Sequence, residues 1–204
     1  MTEPTPAAVT RAAELLDGLT SSWYLIGGWA VDSWLGRQSR EHPDVDIGLL
    51  IEDQANLFDF LPDWHLVAHD PPEQSHDDRW DGRSLEVAAH VHARHPDRTF
   101  ELDFNFNERA GDRLLLNQDP LLSVAIEDAI KESPWSLPTL SPEIVLWHKG
   151  RDEIRERDQL DFEALEPVLD YRQRRWLAAS LSVLDRQHPW LPRLTRTDQK
   201  RLVG

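Results

Sequence analysis

Apolar residues at Val9, Ala12, Ala13, Leu16 and Leu19 recur at helical spacing and predict a first helix over residues 7–19. Trp23-Tyr24-Leu25-Ile26 is a short apolar run that stops abruptly at Gly27-Gly28. It reads as a buried strand closed by a tight glycine turn. Helical character resumes from Trp29 to Leu35 and ends at Gly36, which is placed as a C-terminal cap. Asp44 to Ile51 is rich in β-branched and apolar residues and predicts a second strand. Asp53 then stands where it could cap a helix over residues 54–61. Residues 64–68 predict another strand. Residues 84–92 and 99–107 predict two more, joined by a His-Pro-Asp turn as a hairpin. Between them, residues 70–82 carry two prolines and many acids and read as a loop.

After Gly111 the pattern changes. Leu114 to Leu116 and Leu137 to Leu140 are short strand-like runs. Ser141 then stands at an N-cap position, with Pro142 first in a helix running to about Lys149. Two more helices are predicted over residues 159–169 and 172–184. The expected fold class is therefore α/β (α+β), with an N-terminal domain over residues 1–110 and a mostly helical one over 111–204. A cleft between them is the expected place for a ligand.

Composition narrows the chemistry. Among 204 residues, 22 Lys and Arg oppose 37 Asp and Glu, a formal charge of −15. Broad nucleic-acid binding needs a basic footprint, so nucleic acid is an unexpected partner, while cationic small molecules suit the charge. The chain has no cysteine, which excludes a disulfide framework, a thiolate metal site and a thiolate nucleophile. No apolar run approaches the ~20 residues that cross a bilayer, and the N-terminus shows no secretory pattern. A cytoplasmic protein with no membrane partner is expected.

The informative segment is Gly27 to Asp46. On a strand, Asp44 and Asp46 share one face while Val45, Ile47 and Leu49 share the other. Paired carboxylates suit a hard divalent cation, magnesium foremost, which takes one or two carboxylates plus substrate phosphates. Two solvent-facing aspartates give the same pattern. Gly27-Gly28 offers backbone N–H groups to a phosphate at a helix start, and equally suits a plain tight turn. Phe100, Leu102, Phe104 and Phe106 alternate with Glu101, Asp103, Asn105 and Asn107, so a third carboxylate, Asp103, lies on the polar face of its strand.

Gly27-Gly28-Trp29-Ala30-Val31-Asp32, then Gly36-Arg37, Arg40, His42 and Asp44-x-Asp46, resemble small-molecule nucleotidyltransferases of the DNA polymerase beta superfamily. The likeness is to aminoglycoside 2″-adenylyltransferases and lincosamide nucleotidyltransferases. It continues through Leu102-Asp103-Phe104, the stretch from Ser141 to Lys149, Arg157-Asp158 and Asp161-Phe162. The resemblance implies a mixed sheet flanked by helices, followed by a mostly helical part. It implies that Gly27 and Gly28 hold a nucleoside triphosphate, ATP foremost, with Arg40 and His42 along its path. Asp44 and Asp46 would bind Mg²⁺, and Asp103 would be a third metal ligand or the base for an acceptor hydroxyl. Lys149 would reach a phosphate, so Lys149→Ala is expected to weaken nucleotide binding and leave folding intact.

The activity implied is transfer of AMP from ATP to a hydroxyl of a small molecule, aminoglycosides and lincosamides being the candidates. A toxin-like transferase acting on protein or RNA and a non-catalytic nucleotide-binding module are the alternatives. His90-x-His92-x-x-His95 suggests a metal site, but His95 falls in the expected turn and no carboxylate in that stretch completes a set. The acids between Asp70 and Asp81 read as a solvated run.

Overall fold

The structure, a computed structural model, describes residues 2–69, 79–86, 89–116 and 119–196. It divides into two units, Met1–Ser141 and Pro142–Gly204. The division falls beyond the expected 110/111 boundary, because Arg113–Leu116, Asp119–Ala125, Ile130–Glu132 and Pro138–Leu140 are strands of the same sheet as the N-terminal ones.

In the first unit, helix α1 (Ala7–Leu16) buries Val9, Ala12 and Leu16 on one face. It stops short of the predicted end, and Leu19 is buried from the turn that follows. Strand β1 (Tyr24–Leu25) leads into helix α2 (Gly27–Leu35), so the glycine pair forms the helix's first turn and not a separate loop. Gly36 ends α2 in the left-handed conformation, φ 66°, as the sequence predicts. Strand β2 (Val45–Leu50) and helix α3 (Gln54–Phe60) follow. Asp53 does not cap α3 with its side chain. Residues Ile51–Asp53 form a 3-10 turn, which leaves Asp53 at φ −91°, ψ 0°, outside the extended conformation that an N-cap uses.

Strands β3 (His65–His69), β4 (His90–Arg94) and β5 (Leu102–Ala110) come next, and β4 and β5 form the expected hairpin. Residues 70–78 of the predicted acidic loop and residues 87–88 of the predicted strand lie outside the described residues. Strand β6 (Arg113–Leu116) was foreseen. Strand β7 (Asp119–Ala125), the short helix α4 (Ile126–Ala129) and strand β8 (Ile130–Glu132) were not. Strand β9 (Pro138–Leu140) completes the unit. The described residues hold nine strands in one sheet, along the path β3-β4-β5-β2-β1-β9-β8, with β6 and β7 extending from β5. Pairings β2·β5 and β1·β9 are parallel and the others antiparallel. The sheet is mixed, and β2 lies near its middle.

The second unit is helical: α5 (Pro142–Gly150), α6 (Glu156–Leu165), α7 (Tyr171–Leu184) and the short α8 (Leu191–Leu194). Pro142 opens α5 as predicted, but the buried Ser141 hydroxyl finds no hydrogen-bond partner among the described residues and so does not cap it. Asp170 and Gln173 start α7 with a reciprocal capping box, at 2.8 and 2.9 Å. Phe162 of α6 stacks on Trp190 with ring centroids 4.2 Å apart. Among the described residues no helix is long and apolar enough to cross a membrane.

Candidate active site

Strand β2 places the paired aspartates. Val45, Ile47 and Leu49 are at most 1% exposed, so Asp46 is directed to the other face. Asp44 immediately precedes the strand, and its carbonyl accepts from Trp29 Nε1 at 2.9 Å. On β5, Leu102, Phe104 and Phe106 are buried and Asp103 alternates out of that face. The parallel register sets Asp46 opposite Asp103. Neighbouring strands lie ~4.8 Å apart, so the two carboxylates project from adjacent positions on one face. Asp46 and Asp103 thus stand side by side on neighbouring strands, with Asp44 just before the first of them.

Such crowding needs positive charge. At ~5 Å and an effective dielectric near 20, two carboxylates repel by about 3 kcal/mol. Asp44 shows the result: burial first, and the Asp103 charge second, hold its carboxyl above the ordinary range. One compensating group is His90 on β4, which the alternating histidines hinted at but which had no visible partner. His90 Nδ1–H donates to Asp103 Oδ1 at 2.9 Å, and its ring stacks on His69 of β3 at 4.5 Å. That hydrogen bond, foremost, raises the His90 pKa against the opposing effect of burial. The charges of Asp103, Asp46 and Asp44 act in the same direction. The partner comes from a neighbouring strand, so a search confined to residues 90–95 could not find it.

Helix α2 supplies the other half of the site. Gly27 sits at φ +63°, a conformation that glycine adopts without penalty. A Cβ there would lie 2.1 Å from Asp46 Oδ2, so the glycine is required by the carboxylate packed on it. At Gly28 a Cβ would meet His42 Nδ1 at 2.3 Å and an Arg40 guanidinium nitrogen at 2.8 Å. The N-cap is Ile26, and no side chain caps this helix start among the described residues. Its first turn lies beside Asp46 at Gly27 and beside His42 and Arg40 at Gly28, and a helix start favours an anion.

Asp32, further along α2, belongs to this group; the resemblance motif includes it but gave it no role. It is 0% exposed and binds the Ser39 hydroxyl through Oδ1 and His42 Nε2 through Oδ2, the latter at 2.7 Å. The Trp29 ring lies 4.3 Å from the His42 ring.

The donors suit a hard divalent cation. Asp44 and Asp46 would offer it carboxylate oxygens, and a cation such as Mg²⁺ takes its remaining ligands from phosphate and water. No group of three or more His, Asp or Glu side chains among the described residues is gathered tightly enough to hold a metal by itself.

Lys149 stands apart, on α5 of the helical unit. Its side chain is 10% exposed, with the ammonium 2.7 Å from Asp161 and 3.6 Å from Asp158, carboxylates that are 3% and 1% exposed. Lys149, expected to reach a phosphate, is here one of two cations, with Arg155, that face the buried carboxylates Asp158 and Asp161, so its removal is expected to bear on stability.

A mixed sheet flanked by helices is the architecture of the nucleotidyltransferase fold. The chain belongs to the aminoglycoside-2''-adenylyltransferase family, whose sequence profile matches residues 8–165. It is thus an enzyme of the antibiotic-modifying adenylyltransferase class. Two solved structures show the same fold. The lincosamide antibiotic adenylyltransferase LnuA, lincomycin-bound, is 20% identical, with a TM-score of 0.56 over 81% of this chain and 99% of that one. ANT(2'')-Ia in complex with adenylyl-2''-tobramycin is 14% identical, with a TM-score of 0.58 over 88% and 95%. A comparison with curated protein sequences gives no match.

Proposed function

We propose that this enzyme transfers AMP from ATP to a hydroxyl of a small, cationic antibiotic of the aminoglycoside or lincosamide kind. The observation that carries the reading is the register of Asp46 against Asp103, with Asp44 beside them. Asp44 and Asp46 would hold Mg²⁺, which when bound neutralises triphosphate charge and polarises the α-phosphoryl group. Gly27, Gly28 and the start of α2 cradle the phosphates, with Arg40 and His42 alongside. Asp103 takes the proton of the acceptor hydroxyl as its oxygen bonds to the α-phosphorus. The bond from that phosphorus to the β-phosphate's bridging oxygen breaks, and pyrophosphate leaves. His90, bound to one oxygen of Asp103, fixes the carboxylate's orientation.

The acceptor class draws on the relatives and on charge. LnuA is solved with lincomycin and ANT(2'')-Ia with an adenylylated tobramycin. A chain of net charge −15 favours a polycationic acceptor over RNA. The test is a mass-spectrometric screen of the four ribonucleoside triphosphates, with and without Mg²⁺, against aminoglycosides, lincosamides, RNA and protein. A small-molecule product heavier by AMP, lost on chelation, is expected. Nucleotide on the RNA or protein, or on nothing, would overturn the reading.

A further inference from the structure

We propose that Asp32 is a positioning residue for the triphosphate site, acting through His42 to aim Arg40 across Gly28; the proposal rests on the nucleotidyl-transfer reading above. The hydrogen-bond roles follow from chemistry alone. Arg40 Nη1 lies 2.9 Å from His42 Nδ1, and a guanidinium only donates, so Nδ1 must be the accepting nitrogen. The ring's one proton is then on Nε2, which donates to Asp32 Oδ2 at 2.7 Å. Asp32 thereby fixes both the tautomer and the plane of His42, as a carboxylate does for a metal-bound or catalytic imidazole.

The location gives the chain its consequence. Asp32 lies four residues after Gly28, on the same face of α2, so the imidazole spans one helical turn and ends over the glycine. Its Nδ1 and the Arg40 guanidinium occupy the space that a Gly28 Cβ would take. A second bond, from the Ser39 hydroxyl to Asp32 Oδ1, ties the 37–42 connection to the same carboxylate. Burial sharpens the argument. Asp32 is 0% exposed and the His42 side chain 4%, so the bond between them is shielded from bulk water. A buried carboxylate is costly unless its hydrogen bonds are made, and here they are made to the two residues that flank or accept Arg40. Deletion of Asp32 would free the imidazole to rotate or to move its proton to Nδ1. Either change confronts the guanidinium with a donor and turns it off Gly28.

The test measures MgATP affinity by titration calorimetry and thermal midpoint for Asp32→Ala, Asp32→Asn, Arg40→Ala and the double variant Asp32→Ala/Arg40→Ala. Asp32→Ala should weaken MgATP by about tenfold, the worth of one charge-assisted contact. Asp32→Asn should recover to within about threefold of wild type, since its amide can accept from His42 and donate to the Ser39 hydroxyl. In the Arg40→Ala background the Asp32→Ala change should cost no further affinity, because there is nothing left to aim. A lowered midpoint with unchanged affinity, or losses that add in the double variant, would overturn the proposal and leave Asp32 a structural residue. If Arg40→Ala itself binds MgATP normally, the triphosphate site falls, and this proposal with it. Should Asp32→Ala fail to fold, His42→Ala cuts the same chain one link on, and the same outcomes decide.

Discussion

Asp103→Asn should lower turnover by roughly 10²- to 10⁴-fold, the usual worth of a positioned base, with MgATP affinity within about threefold of wild type. The amide is nearly isosteric, and its carbonyl can still accept from His90 Nδ1–H, so the strand pair and the His69·His90 stack stay in place. What is lost is the capacity to take a proton. One carboxylate oxygen already serves His90, which suits a base better than a bidentate metal ligand. Asp46→Asn should behave differently. Asp46 packs on Gly27 at the helix start, so losing its charge should weaken MgATP binding and turnover together. Single-turnover rates beside MgATP titrations separate the two. Matched losses in both variants would make Asp103 a ligand, and full activity in Asp103→Asn would remove it from the site.

The carboxylates were legible in the sequence because strand alternation is local. Phe100 to Asn107 shows its two faces without reference to any other segment, and so does Val45 to Leu49. The pairing of Asp46 with Asp103 is not local. It depends on a parallel β2·β5 register between segments far apart in sequence, which no turn fixes. The family resemblance supplied the expectation that they meet. His90 was out of reach for the same reason, since its meaning comes from a cross-strand carboxylate. Asp32 stood in the motif that carries the resemblance but had no role of its own there; its burial and its two partners supply one. The missed strands have compositional causes. β7 contains Pro120, and β8, Ile130-Lys131-Glu132, is short and largely exposed, so neither carries an apolar alternation.

The glycine pair shows how a correct expectation can have an incomplete cause. A tight turn explains a glycine at φ +63°, but Gly28 has no positive φ. Its reason is the imidazole and guanidinium pressed against it, which belong to His42 and Arg40 in the connection that follows the helix. The sequence displays the glycines, Arg40 and His42 in order; their contact is a property of the fold.

Lys149→Ala should destabilise the protein by about 3 kcal/mol, near the lower end of what breaking a buried ion pair costs. The ammonium lies 2.7 Å from Asp161 and 3.6 Å from Asp158, and both carboxylates are almost fully buried. Removing the cation takes the 2.7 Å ammonium contact from Asp161 and one of two cationic neighbours from Asp158, while both carboxylates stay buried. The loss is held toward the lower end because Arg155 keeps its own contact with Asp158 at 2.6 Å. Acid gives an independent reading of the same cluster. Burial alone would raise the Asp158 carboxyl, but the Arg155 hydrogen bond, then the Lys149 and Arg155 charges, hold it below its ordinary value. Its ionised form therefore stabilises the fold above the ordinary value of 3.8, and that contribution is lost as pH falls through the lower folded value. Without Lys149 the carboxyl is lowered less, so the variant should lose less stability over the same acid interval. Urea melts of wild type and Lys149→Ala at pH 7 and pH 3 measure both effects. The Lys149→Met/Asp161→Asn pair should regain most of the loss, since cation and carboxylate charge leave together. A Lys149→Ala melt coincident with wild type at both pH values would return this lysine to the surface and reopen its expected contact with phosphate.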